Sequence, residues 1–146
     1  MLRGNSPAKV DDKGRIKIPT LFRGYIEETY GREFFVTSLS GEFVRFYPMP
    51  VWTEVEKKIA TLSTVSAPIV RFRNFVNYYG QTATMDDQGR VLIHPMLRDR
   101  SGTDGEVHVI GNLTYLDIWN RETLDAKLHG GPLTDDDMEL LGRHGI

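Results

Sequence analysis

The sequence predicts an α+β protein in which a small unit of β-hairpins and short helices occurs twice, with both copies sharing one mostly-β core. Three observations carry this. The stretch Asp11-Asp12-Lys13-Gly14-Arg15-Ile16-Lys17-Ile18 returns 75 residues later as Asp86-Asp87-Gln88-Gly89-Arg90-Val91-Leu92-Ile93. Each copy is a tight polar turn ending in Gly-Arg, followed by the alternation of apolar and polar residues that marks a half-buried strand. A unit of about fifty residues with a few short elements is marginal alone, so the halves are expected to bury surface against each other.

Taken in order, Pro7 to Val10 and Arg15 to Ile18 read as the two arms of a first hairpin. Gly14 supplies the positive φ of its turn and Asp11 accepts hydrogen bonds from the turn amides. Pro19 then opens a short helix with Leu21, Phe22, Tyr25 and Ile26 in one stripe, stopped by Gly31. Glu33 to Leu39 and Phe43 to Tyr47 form a second hairpin about Ser40-Gly41. From Pro50 the spacing becomes helical, with Val51, Val55, Ile59 and Leu62 on one face and Trp52 beside them. After a Ser/Thr/Pro break from Ser63 to Pro68, Ile69, Phe72, Phe75, Val76 and Tyr79 predict a connecting helix up to Gly80.

The second copy repeats this order. A strand from Gln81 to Met85, a turn built on Asp86 and Gly89, and a strand from Arg90 to Ile93 are followed by a short helix from His94-Pro95. Glu106 to Ile110 and Tyr115 to Trp119 give the second hairpin, and Asn120 or Thr123 caps a helix through about Leu128. Beyond His129-Gly130-Gly131-Pro132, Met138, Leu140 and Leu141 allow one or two loosely held amphipathic turns. Asp11 to Asp86 is an offset of 75 and Tyr47 to Trp119 one of 72, so the copies differ by small losses placed in loops.

Composition narrows the function classes. The 146 residues contain no cysteine, which removes disulfides, thiol nucleophiles and Cys-based zinc sites. No run of about eighteen apolar residues or secretory leader is visible, and a cytoplasmic protein without membrane contact is expected. The formal net charge of -2 argues against coating nucleic acid through bulk positive charge. Its distribution is uneven: Arg3, Lys9, Lys13, Arg15, Lys17 and Arg23 crowd the head, and Asp135, Asp136, Asp137 and Glu139 the tail. Such runs are commonly solvated faces.

The chemistry-bearing motifs are few. The Asp11-Asp12 and Asp86-Asp87 pairs suggest metal ligands or an acid-base pair. Adjacent side chains point apart, however, and Asp before Gly is ordinary turn chemistry. His94, His108, His129 and His144 follow no metal spacing. Nucleophile elbows, phosphate loops and dinucleotide fingerprints are absent, so no cofactor, metal, small-molecule substrate or catalytic residue is expected. Trp52 and Trp119 are expected in core packing.

Arg15 and Arg90 remain. On a strand, Arg15 and Lys17 share one face while Ile16 and Ile18 share the other. A two-stranded ribbon fits the DNA major groove, where Arg reads a guanine edge with two hydrogen bonds and Lys meets phosphates. The competing reading pairs each Arg with its turn Asp, and both hold together if the Asp aims the guanidinium. In the second copy Gln88 and Leu92 replace Lys13 and Lys17, so the first hairpin is expected to be the stronger contact.

With these residues assembled, the sequence resembles the MraZ family, whose members carry two tandem swapped-hairpin domains of the SpoVT/AbrB type. The resemblance rests on the paired Asp-x-x-Gly-Arg turns, on Tyr47-Pro48-Met49-Pro50-Val51-Trp52, and on Leu116-Asp117-Ile118-Trp119-Asn120. It spans about Leu2 to Leu128. It implies AbrB-like domains over 5–52 and 79–122, connecting helices over 53–78, and a closing helix with an acidic tail over 123–146. Together these would form a pseudo-twofold, barrel-like β core with flanking helices. It also implies a nucleoid-associated transcriptional regulator, a repressor, acting on repeated short sites before a division and cell-wall gene cluster that includes its own gene. A ring-like homo-oligomer is implied too, and the family's DNA-contacting Arg maps onto Arg15 and Arg90; the basic residues around the first hairpin, Lys13, Lys17, Arg3 and Lys9, add further expected contacts to double-stranded DNA. Two other classes stay open: an antitoxin-like interaction module whose tail captures a protein partner, and a metal-dependent enzyme using the Asp pairs.

Overall fold

A computed structural model describes all 146 residues. The elements in chain order are β1 (Leu2–Lys9), β2 (Arg15–Lys17), α1 (Thr20–Tyr30), β3 (Glu33–Thr37), β4 (Val44–Pro48), α2 (Met49–Ala60) and α3 (Ala67–Tyr78). The second copy follows with β5 (Gln81–Thr84), β6 (Arg90–Leu92), α4 (Pro95–Ser101), β7 (Glu106–Leu113), β8 (Tyr115–Asn120), α5 (Arg121–Gly130) and α6 (Asp135–Arg143). Eight strands, all paired antiparallel, together with six helices make the chain α+β, as expected.

The second hairpin of each copy forms as read: β3 pairs with β4 and β7 with β8, both antiparallel. The first hairpin does not. β1 pairs along its whole length with β7, and β5 pairs with β3, so each arm crosses to the other copy. β2 and β6 pair only with each other, and a single bridge, Val10 to Ile16, joins β1's end to β2. The polar turn between the arms is present, but its arms diverge. A closed hairpin would leave the eight-residue β1 with only the three residues of β2 to pair with. Exchanging arms instead gives β1 an eight-residue partner and buries Ile16, Ile18, Val91 and Ile93 completely. The polar-apolar alternation specified which face is buried but not which strand is the neighbour.

The result is a six-stranded sheet of order β1-β7-β8-β4-β3-β5 and a separate two-stranded ribbon, β2-β6. The hydrogen-bonded strands do not close into a barrel, because β1 and β5 remain edges. Exchanging the two copies maps the pairings onto themselves. Lys9 opposite Glu106 answers Thr84 opposite Glu33, Ile16 lies opposite its own counterpart Val91, and Arg45 lies opposite its counterpart Asp117. One cluster of eighteen buried residues draws on both copies, including Leu2, Phe22, Phe34, Phe46, Leu97 and Leu116. A core divided between copies in this way cannot be split into two independent halves without exposing it.

Helices cover the sheet where their apolar spacing allows. α1 buries Phe22 and Ile26, while Leu21 and Tyr25, read as part of the same stripe, face outward. α2 is anchored by Trp52, stacked on Phe35 at 4.4 Å, rather than by the Val51-Leu62 stripe, whose last member is exposed. α3 lays Val76 against this pair and accepts a buried hydrogen bond from Thr37 Oγ1 at 2.6 Å to the Val76 carbonyl. Trp119 is only half-buried and stacks on Phe43 at 4.7 Å. Trp52's counterpart at an offset of 72 is Leu124, so the tryptophans are not equivalent. Asn120 caps α5 by accepting from the Thr123 amide, and Thr134 with Asp137 forms a reciprocal capping box that starts α6. Every residue of α6 except Leu141 is exposed.

Where the copies meet on the β4-β8 pair, Arg45 and Asp117 form a nearly enclosed ion pair, Nε to Oδ1 at 2.8 Å and Nη2 to Oδ2 at 3.2 Å. Asn112 donates to the same carboxylate at 2.7 Å, and the guanidinium lies 4.0 Å from the centre of the Tyr115 ring. Burial works against the Arg45 charge, but the bonds to Asp117 and Tyr47 outweigh it, so its pKa rises above the ordinary value.

Candidate nucleic-acid interface

The β2-β6 ribbon presents one face to the core and one to solvent. Ile16 and Val91 point inward, fully buried; Arg15, Lys17, Arg90 and Leu92 point outward. The register sets Arg15 opposite Leu92 and Lys17 opposite Arg90. Arg15 and Arg90 therefore sit on a diagonal, about 7–8 Å apart at Cβ. The strand exchange thus joins on one ribbon two arginines that are 75 residues apart in sequence.

Each arginine is held by its own turn. Asp11 Oδ1 accepts from the backbone amides of Lys13 and Arg15, and its Oδ2 accepts from Arg15 Nε at 3.0 Å. Asp86 does the same for Gln88 and Arg90, with Arg90 Nε at 2.8 Å. The Arg-to-own-Asp pairing and the outward display are both realised. Each pair uses Nε, and the terminal nitrogens of Arg15 and Arg90 have no hydrogen-bond partner in the protein. Those are the two donors that an acceptor pair on a base edge or phosphate requires. The amide of Arg90, then its side chain, hold the Asp86 carboxyl down to about 2, against partial burial; Asp11 is lowered for the corresponding reasons. Both carboxylates stay ionised at any physiological pH and keep the guanidinium groups aimed.

The turns are further locked across the copies. Ile18 N donates to Gly89 O at 2.8 Å, and Ile93 N donates to Gly14 O at 2.9 Å. Gly14 and Gly89 have φ of +82° and +79°. Above each lies a guanidinium from the other copy: Arg98 of α4 covers Gly14 and Arg23 of α1 covers Gly89. These two arginines stand at the same offset of 75 as Arg15 and Arg90, a signal readable in the sequence. Arg98 was missed because it follows no local motif. Their surroundings differ. Arg23 Nε pairs with Glu27 at 2.8 Å, and neighbouring Arg32 pairs with Asp87 at 2.7 Å. Glu27 has no acidic counterpart in α4, and Arg98 Nε is a buried nitrogen without a partner. With Asp11, Asp12, Lys13, Arg15 and Arg98 together, the first turn keeps one positive charge in excess, while around the second Asp86, Asp87 and Glu27 balance Arg90, Arg23 and Arg32.

Of the other basic residues expected at the interface, Lys13 is exposed at the tip of the first turn. Lys9 is exposed at the end of β1 beside that turn, opposite Glu106. Arg3 lies six residues further back along β1, opposite Asn112, about 20 Å from Lys9 at the ordinary strand rise. The structure brings Arg15, Arg90, Lys17 and Lys13 together, with Lys9 at the margin, and leaves Arg3 apart. No three His, Asp or Glu side chains converge as a metal site would require. No helix is long and apolar enough to cross a membrane.

The family model described as "MraZ protein, putative antitoxin-like" matches residues 1–72. A transcriptional regulator MraZ from Acidobacterium capsulatum is 40% identical over the whole of both chains. The chain belongs to the MraZ family. A transcriptional regulator MraZ from Koribacter versatilis is 42% identical, again over the whole of both chains. One from Chromobacterium violaceum is 32% identical over 87% of this chain and 86% of its own. These matches support the resemblance read from the paired turns, and the full-length matches extend it over the tail.

Proposed function

We propose that this chain is a sequence-specific DNA-binding transcriptional regulator, a repressor of the division and cell-wall gene cluster that contains its own gene. The observation that carries the reading is the outward ribbon, with Arg15 and Arg90 clamped through Nε and their terminal nitrogens free. In the complex these nitrogens read base edges in the major groove, while Lys13, Lys17 and Arg98 meet phosphates. Arg98 supports this, because its half-buried guanidinium lies over Gly14 and adds positive charge beside the first turn. The cross-copy pairing of β1, β2, β5 and β6 supports tandem swapped-hairpin domains of the SpoVT/AbrB type. The protein acts at the nucleoid as a ring-like homo-oligomer on repeated short sites. Each ribbon then needs only weak affinity, because linked sites raise the effective concentration of the next contact. Function without catalysis follows from this reading.

The test is titration onto labelled duplex from upstream of its own gene and onto a scrambled duplex across a salt series. Tighter binding to the first, with a slope of about -0.9 per neutralised phosphate, supports the reading. Equal weak binding to both that vanishes at modest salt refutes it. In that event the antitoxin-like reading, favoured by the family model's description and the exposed acidic α6, takes its place.

A further inference from the structure

The two copies differ in what covers their second hairpins. In the first, the face formed by Phe35, Tyr47 and Trp52 is closed by α3, which inserts Val76 and packs Phe72 alongside. In the second, the counterpart residues His108, Trp119 and Leu124 have no such helix over them. A groove of about 530 Å³ stands in its place, floored by Ile110 and Leu124, walled by Leu128 of α5, and edged by His108, Arg121 and Asp125. The positions match one by one: His108 answers Phe35, Ile110 answers Thr37, and Leu124 answers Trp52. The groove is the vacant counterpart of the seat that α3 fills.

The chain also carries an unseated helix. α6 is stabilised at its start by the Thr134-Asp137 capping box, yet Met138 and Leu140 are 54% and 52% exposed and Leu141 is only half-buried. Met138 and Leu141 lie on one side, with Leu140 further round beyond the capping Asp137, and Asp135, Asp136, Glu139 and Arg143 lie on the other. A regular, capped, amphipathic helix with an uncovered apolar side has its stabilising contact elsewhere. Its acidic first turn complements Arg3 on β1 and Arg121 at the groove edge, where Arg121 also pairs with Glu106 at 3.2 Å and Asp125 contributes the one negative charge of the lining.

We propose that α6 of one chain docks into the α5-β7-β1 groove of a second copy, taking there the place that α3 takes in the first copy of the repeat. The inference deepens the oligomer part of the function proposed above and rests on it. The contact is head to tail: every protomer offers one helix and one groove. Passed from chain to chain, such contacts propagate until the rotation closes and produce a ring, whereas two chains exchanging helices reciprocally stop at a dimer. Only four residues, 131–134, separate α5 from α6, against six between α2 and α3. This shorter connector, with Pro132 in it, favours the neighbour's groove over the chain's own.

The absence of cysteine makes the test direct. Leu128→Cys and Leu141→Cys are placed together in the full chain, oxidised and analysed without reductant, while the mass of the wild type and of Met138→Asp/Leu141→Asp is measured in solution. The expected result is a ladder of cross-linked multiples of 16.7 kDa, a wild type heavier than the monomer, and a folded, monomeric Asp variant. Met138 is exposed and Leu141 half-buried in the protomer, so circular dichroism should change little. A disulfide confined to the monomer shows α6 seated on its own chain and overturns the inference. A wild-type oligomer whose mass survives the Asp substitutions, without cross-linking, also overturns it but leaves the oligomer reading intact. A monomeric wild type removes both.

Discussion

Replacing Arg45 by methionine leaves the Asp117 carboxylate enclosed between β4 and β8 with only Asn112 to bond it. The side chains are 12% and 7% exposed, so solvent screens the pair little and the usual discount for surface ion pairs does not apply. Removing one member of a buried pair costs about 3–5 kcal/mol, because the other is left charged and uncompensated. For a domain of this size each kcal/mol moves the melting temperature by roughly 2–4 °C. Arg45→Met and Asp117→Met should therefore each lower it by about 6–20 °C. Arg45→Met/Asp117→Met removes both charges and should lie within about 2 kcal/mol of wild type, as apolar replacements of whole buried pairs do. Urea unfolding of the four proteins gives the cycle. A single substitution costing under about 1 kcal/mol, or a double equal to the sum of the singles, would refute the claim that the two copies are pinned together at this bond.

Five further outcomes follow from the same geometry. Gly14→Ala places a Cβ at φ +82° and 2.4 Å from Arg98 Cζ, and should cost about 1–2 kcal/mol in thermal unfolding. Gly24→Ala, inside α1 with open space around it, should instead stabilise by about 0.5–1 kcal/mol. Because the Asp86 carboxyl is held at about 2 against an ordinary 3.8, its contribution is complete above about pH 4 and lost as pH falls toward 2. The stability gap between wild type and Asp86→Asn should close over that window and stay constant from pH 5 to 7. Thr37→Val strips the donor from the Val76 carbonyl and should cost about 1–3 kcal/mol, read by urea unfolding. In DNA titrations, Arg98→Ala should weaken binding to all duplexes alike and make the salt slope shallower by about one contact; an unchanged slope would remove Arg98 from the interface.

The duplication, the turn chemistry and most helix positions were legible because they are local: Asp and Gly at fixed places in a turn, Pro19 and Gly31 bounding a helix, Asn120 as a cap. The partner of each first-hairpin arm was not. Alternation specifies a buried face but not which strand lies beside Ile16, so only the whole topology decides between a closed hairpin and an exchanged one. The site was half legible for the same reason. Arg15 and Arg90 could be picked out by their repetition, and Lys17 by sharing Arg15's face. That the two arginines lie on one ribbon follows from the exchange alone. Arg98 touches Gly14 only because α4 of one copy crosses over the turn of the other. Arg3 was grouped with the head by sequence proximity, yet an eight-residue strand carries it away from the turn.

The most direct test of the central claim is the ratio of affinities for upstream and scrambled duplex, measured for wild type and for Arg15→Ala at one fixed salt concentration. Loss of a bidentate base contact is worth about 1–3 kcal/mol, a roughly 5- to 150-fold fall in affinity for the upstream duplex. If Arg15 reads a base, that fall is larger than any loss on scrambled DNA, and the ratio collapses. If Arg15 is only the partner of Asp11, the ratio is unchanged, and the ribbon is a surface without a reading role.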